Sequence, residues 1–461
     1  MSLLDALLLD PSRIDVWVTR RTSNPALAGI QGTGTETDPF SVFNEVDFDA
    51  LMSDTSRVPN FSCVHLGPGE FLTVGYYDGL TGSGWQARPG IRMAGSGIDV
   101  TTLKLANTAT GQKIYAIGHA ISSSTVDYFE VTDLSIDGNY SMLGTNSSGG
   151  AVRIMGSQSR AVRIKVKNWG SKAAFGTLSY VIAMLTGNGT ITPASVVTNS
   201  GMQDCIVLPP ALGSTGTLSV LHVGSSEAPG ATATPGVGNY IRNCYVDGGQ
   251  NPLENTNLHK AIRALSMNWC KAGLVEGNQI QNTFYGGPYN TLSSNDMIVR
   301  NNTYRNVAVS TMYAITANGS MKLLVEGNQV ELSTVPVNPV VGRDAIGIIV
   351  YNDGGTSIKP YQSVLLRGNR IQYLDDAVPA TNPGSGTLVF GAANLLVREN
   401  FLTVTAPNPI RNSGCVSVQY FENKTPSGKL VQGFKEDDST LYTELSTDAD
   451  DAFVLSLLLR K

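Results

Sequence analysis

The chain has 461 residues, 41% of them hydrophobic and only 15% charged, with a formal net charge of −5. That slightly acidic balance supplies no general basic field for nucleic acid or anionic lipid, and no apolar run approaches the ~18 residues of a membrane span. The 49 glycines and 21 prolines, with abundant Asn, Ser and Thr, favour turns and strands over helices.

In chain order, the first predicted segment is 1–38. Its opening, MSLLDALLLDPSR, is apolar but carries Asp5 and Asp10 and lacks a basic start or a small-residue cleavage site. It reads as an amphipathic helix ended by Pro11, followed by an extended stretch, and not as a signal peptide. Residues 39–124 form a cap helix and irregular first coils. PFSVFNEVDFDALMSD places Phe48, Leu51 and Met52 on one helical face, CVHLGPGEF is a strand with a Gly-Pro-Gly corner, and GIRMAGSGIDVTTLKL is strand, glycine turn, strand.

Residues 125–425 repeat. FEVTDLSIDGN, AVRIMG, RAVRIKVKN, YVIAML, TLSVLHVG and NYIRNCYVDGG lead into LVEGN, IVRNN, LVEGN, LLRGN, LVREN and QYFEN. These last six end on Asn278, Asn302, Asn328, Asn369, Asn400 and Asn423, at spacings of 24, 26, 41, 31 and 23 residues. Period-two alternation flanks each phrase, which excludes a helical solenoid. Three short strands per turn, with a minimum turn of 23 residues, predict an all-β fold, a single-stranded parallel β-helix of three-strand coils. Asn at the corner tolerates left-handed backbone angles and can stack on its own kind. The longer spacings mark insertions on one side of the coil. A β-sandwich, the alternative, requires antiparallel pairs.

The final segment, 426–461, ends in TELSTDADDAFVLSLLLRK. Ser446 or Thr447 caps a helix whose apolar face is Phe453, Val454, Leu457 and Leu458. The helices at the two termini either cap the solenoid or dock a neighbouring subunit or a larger particle. The five cysteines, Cys63, Cys205, Cys244, Cys270 and Cys415, are scattered and odd in number. They read as small buried residues, not as a disulfide frame or a zinc site.

FDALMSD, HLGPGEF, GIRMAGSGIDVTTLKL, DLSIDGN and the Asn repeats together resemble the pectin-lyase-like superfamily of right-handed parallel β-helices, and within it phage tailspikes and pectate-lyase-superfamily proteins. The resemblance covers roughly residues 39–425. It implies an extended polysaccharide bound along one outer face, a homotrimer, and a lyase or hydrolase activity or a non-catalytic adhesin or structural spike. It also implies a virion- or particle-associated or lysis-released protein, an ordinary cytosolic location being the alternative. No cofactor is expected from the residues themselves; calcium is implied by the resemblance alone, and no recognisable calcium cluster of the pectate-lyase type is present. Neither nucleic acid nor membrane insertion is expected.

The phrases NTD, GHG and RIK of the polygalacturonase-like branch are missing as a set, so chemistry must come from other residues. Candidate catalytic groups are His222 in an apolar strand, Lys260 and Arg263 at the start of the next, and Asp344 and Asp353 at either end of AIGIIVYND. Each also has an ordinary structural explanation, such as an Asp-Gly turn for Asp353. Tyr285 and Tyr289, in FYGGPYN, are candidate sugar-stacking residues, although Gly-Gly-Pro also fits a plain loop. Asp375 and Asp376 are a candidate substrate-binding carboxylate pair, of which alternation lets only one face a given cleft.

Overall fold

The computed structural model describes the chain between residues 13 and 442, apart from 23–28, 78–83, 107–109, 121–124, 174–177, 187–197, 216, 226–235, 250–262, 290–295, 315–321, 334–345, 353–360, 374–384, 404–409, 426, 432 and 436–439. The predicted helices at the two termini lie outside the described residues. Two compact units divide the chain: Met1–Glu227 with Cys244–Val246, and Ala228–Asn243 with Asp247–Lys461. Each is a right-handed parallel β-helix with three strand stacks. The antiparallel pairs described are short edge contacts, and the sandwich alternative falls with them.

In the first unit, stack one runs through Ile14–Arg20, Ser62–Leu66, Arg92–Gly95, the starts of Glu130–Asp137 and Arg160–Lys167, and Gly201–Gln203. Stack two holds Gly69–Thr73, Thr101–Leu105, the ends of the same two long strands, Ile206–Val207, and Tyr245 with Val246. Stack three holds Lys113–Gly118, Ser148–Met155, Leu178–Thr186 and Thr217–Ser225. Alternation sends every second side chain inward. Val16, Val64, Met93, Val131, Ala161 and Met202 thus form one column in register, each no more than 2% exposed. Such burial contributes about 1.5–3 kcal/mol per large aliphatic side chain. The corner between stacks one and two is a single left-handed residue, Asp133 (φ 58°) or Arg163 (φ 48°), and these two form an ion pair at 2.6 Å.

The helix Glu45–Ser53 has the apolar face its sequence predicts, with Phe48, Leu51 and Met52 buried. Asn44 caps it by accepting a hydrogen bond from the Asp47 amide. Phe48 rests against Phe71 and Trp85, with centroids 5.8 and 6.4 Å away, which fixes the helix to the first coils.

In the second unit, stack one is Tyr240–Arg242, Leu274–Glu276, Met297–Arg300, Lys322–Glu326, Tyr361–Arg367, Ala392–Arg398 and Ser417–Phe421. Stack two is the starts of Gln279–Tyr289 and Thr303–Ala314, then Gln329–Leu332, Arg370–Tyr373 and Phe401–Leu402. Stack three is Arg263–Asn268, the ends of the same two long strands, Ile346–Asn352, Ser385–Phe390, Ile410–Ser413 and Gly433–Lys435. Thr440–Tyr442 folds back antiparallel on the last of these and covers its free edge.

The six repeated asparagines form the ladder expected of them. Each is at most 2% exposed, and from Asn278 to Asn400 each Nδ2 donates to the Oδ1 of the next at 2.8–3.0 Å. The backbone angle is a correction. The left-handed residue at the corner is not the ladder Asn but the one before it: Gly277, Asn301, Gly327, Gly368, Glu399 and Glu422. The ladder Asn is instead the first inward residue after the corner, and its amide satisfies buried backbone groups.

Candidate functional site

In sequence, the longer segments between strands fall next to strands of the third stack. Residues 187–197, 226–235, 250–262, 334–345 and 353–360 all adjoin ends of its strands. In both units the strands of this stack contain no Asp or Glu. They supply instead Lys113, Arg153, His222, Arg263, Arg411 and Lys435, together with tyrosines. Several carboxylates elsewhere on the described coils are engaged by cations. Glu130 contacts Arg92 and Arg160, Glu276 contacts Arg300, Glu326 contacts Arg367, and Asp99 contacts Lys165.

In the first unit, register aligns Ile117, Val152, Ile182 and Leu221 as an interior column with no exposure. The neighbouring column, Gly118, Arg153, Ala183 and His222, belongs to the opposite face of the strands. His222 is 1% exposed, and its ring lies 4.2 Å from that of Tyr180, tilted by 35°. The Arg153 guanidinium sits 5.7 Å from the Tyr115 ring centroid, within cation–π range. Gly150 makes this possible: a Cβ there would meet the Tyr115 ring at 2.8 Å. Arg153 and His222 are two strands apart, roughly 9.6 Å by the interstrand spacing. The result is a buried strip of rings around the Arg153 guanidinium, packed within the fold. His222 is part of its packing and is not open to a passing polymer in this conformation.

In the second unit, Arg263 begins the third stack and pairs in register with Tyr285, and Ser266 pairs with Tyr289. Tyr285 and Tyr289 therefore lie on the strand Gln279–Tyr289, which corrects the plain-loop reading of FYGGPYN. The register advances by two residues from Arg263 to Leu265 while its partner advances by three, from Tyr285 to Pro288. This bulge absorbs the Gly-Gly-Pro. Strand pairing thus places Arg263 and Tyr285 at one register position. His222 belongs to the other unit. Lys260, Asp344, Asp353, Asp375 and Asp376 lie outside the described residues.

Sequence reading missed Tyr115, Arg153 and Tyr180. Arg153 and Tyr180 sit in AVRIMG and YVIAML, which read only as strands, and the signal that joins them is strand register, which only pairing reveals.

No model of a known protein family matches this sequence, and no curated protein does. Solved structures do. A DFA-IIIase from Arthrobacter chlorophenolicus A6 is similar with a TM-score of 0.51 at 11% identity, covering 94% of this chain and 100% of that one. The A-module of a mannuronan C-5 epimerase from Azotobacter vinelandii gives 0.43 at 13% identity, covering 88% and 91%. PfbA, a surface protein and adhesin of Streptococcus pneumoniae, gives 0.46 at 10% identity, covering 81% and 91%. At this identity the DFA-IIIase likeness shows the fold alone, a right-handed parallel β-helix.

Proposed function

We propose that the protein engages an extended acidic polysaccharide along the third strand stack of its second unit. One observation carries this reading: the strands of that stack hold cations and rings and not a single carboxylate. On a chain of net charge −5, such a stack is the surface an anionic polymer meets with least repulsion. Hydrolysis needs two carboxylates flanking the scissile bond, and these strands supply none. Any such pair would come from the flanking segments that contain Asp344, Asp353, Asp375 and Asp376.

A second reading, β-elimination, is favoured by the register of Arg263 beside Tyr285. A lyase needs a cation for the uronate carboxylate and a base for the adjacent proton; Arg263 is the first by type, and a Tyr285 phenolate would be the second. Without cleavage, the same surface makes an adhesin. The homotrimeric, particle-borne setting of tailspikes belongs to the proposal, with light scattering as its check; a monomeric mass removes it.

The test is a panel of acidic and neutral polysaccharides, scored for binding, for new reducing ends and for unsaturated products, with and without a chelator to probe calcium. Binding of polyuronates, weakened about tenfold by Arg263→Ala, is the expected result. Unsaturated products select the lyase, and binding without products selects the adhesin. Binding confined to neutral glycans, or none on either class, overturns the proposal.

A further inference from the structure

Far along the chain from the residues discussed above, the first two strands of stack one in the first unit gather three ligand types on one outward face. Asp15 pairs in register with Cys63, and Trp17 with His65. Cys63 and His65 are two residues apart on one strand, so alternation aims them the same way. Their inward neighbours Val64 and Leu66 are core residues. One donor atom from each of Asp15, Cys63 and His65 lies within 4.8 Å of the others. Asp15 Oδ1 and His65 Nε2 are 2.7 Å apart. The imidazole is held flat against the Trp17 ring, 4.2 Å between centroids at 15°, which fixes its plane.

We propose that Asp15, Cys63 and His65 form a binding site for a single thiolate- and imidazole-seeking divalent metal ion of the zinc class. A tetrahedral ion with bonds of about 2.0–2.3 Å holds its donors roughly 3.3–3.8 Å apart, so side-chain rotation alone closes the set. Thiolate and carboxylate together balance a dication, and neutral imidazole completes a mixed S, N, O shell. The Asp15 side chain is 61% exposed, which leaves the fourth position open to water or to a ligand group. Arg92, in register with Cys63, does not oppose the ion as a bare charge, because Glu130 contacts it at 3.1 Å. The sulfur binds a metal as thiolate, so metal binding here releases the thiol proton. The sequence hides this site: Cys63-x-His65 is no zinc motif, and Asp15 arrives only through strand pairing.

The test is titration of the full chain, stripped with a chelator under reducing conditions, with Co²⁺ and then Zn²⁺. A thiolate-to-cobalt absorption band saturating at one ion per chain, and bleached by Zn²⁺, is expected. Cys63→Ser should abolish the band. His65→Gln, at a half-buried position, and Asp15→Asn, at an exposed one, should each weaken affinity at least about tenfold. No band, or a band that survives in His65→Gln and Asp15→Asn at unchanged affinity, overturns the assignment even if Cys63→Ser fails to fold.

Discussion

Asp49 lies on a helix face whose other inward residues, Phe48, Leu51 and Met52, are apolar. Its carboxyl accepts hydrogen bonds from the Thr73 hydroxyl at 2.6 Å and the Val74 amide at 2.8 Å. Gly84 packs so closely that a Cβ there would come within 2.2 Å of Oδ2. Burial outweighs both hydrogen bonds and pushes the carboxyl up to about 7 from its ordinary 3.8. The unfolded chain therefore ionises this group near pH 4, while the folded chain keeps the proton to about pH 7. Its contribution to stability is full below the unfolded value and is lost as pH rises through that window. The loss is on the order of 4 kcal/mol across the window. Thermal unfolding followed through Trp85, which touches Phe48, should show the first unit less stable at about pH 8 than at about pH 5, with the slope flattened in Asp49→Asn. A wild type and variant with the same pH dependence would refute this account. The apolar face of this helix was legible from its spacing. Asp49 was not, because no pattern distinguishes a buried Asp from a solvated one in the same turn.

The corner between strands is the element on which the second unit depends. Asn328 shows what each ladder position does: its Oδ1 accepts from the Asn302 amide at 3.0 Å and from Asn302 Nδ2 at 2.9 Å, and its own Nδ2 reaches Val299 O and Asn369 Oδ1. Asn328→Ala strands several buried polar groups at once and should cost about 3 kcal/mol or more. Asn328→Asp should not rescue it, since a carboxylate cannot donate to Val299 O. Urea unfolding of the variants gives the answer, and a change below about 0.5 kcal/mol would mean that the ladder is ornamental. The ladder was legible because the same residue recurs at the same place. The left-handed residue was not, because Gly, Asn and Glu all occupy it: Glu399 and Glu422 take a conformation costing roughly 1–2 kcal/mol because the flanking strands leave no alternative. Tyr285–Tyr289 misled for the reverse reason, since a Gly-Gly-Pro that looks like a turn is absorbed by a bulge.

Across the whole molecule, repetition made the fold readable while insertion concealed the site. Strand stacks obey a period, so their number and direction follow from the phrases. Lys260, Asp344 and Asp353 fall in segments that break the period, where repetition gives no guidance. What remains testable is the consequence of a repeated surface. In the second unit the third stack has seven strands in sequence, which spans roughly 29 Å across the strands at the ordinary spacing. A ligand lying across them meets a new set of side chains at every step. Affinity for oligouronides should therefore climb with length until the extended oligomer reaches about that span, and then level off. A pocket-type site would saturate after one or two sugars. The same affinities should fall when salt is raised from ~0.1 to ~1 M, as the screening length shrinks from about 10 to about 3 Å. Isothermal titration over a size-graded series measures both trends. An affinity that is flat with length and indifferent to salt would place the ligand in a local pocket and leave the strand stack as scaffold.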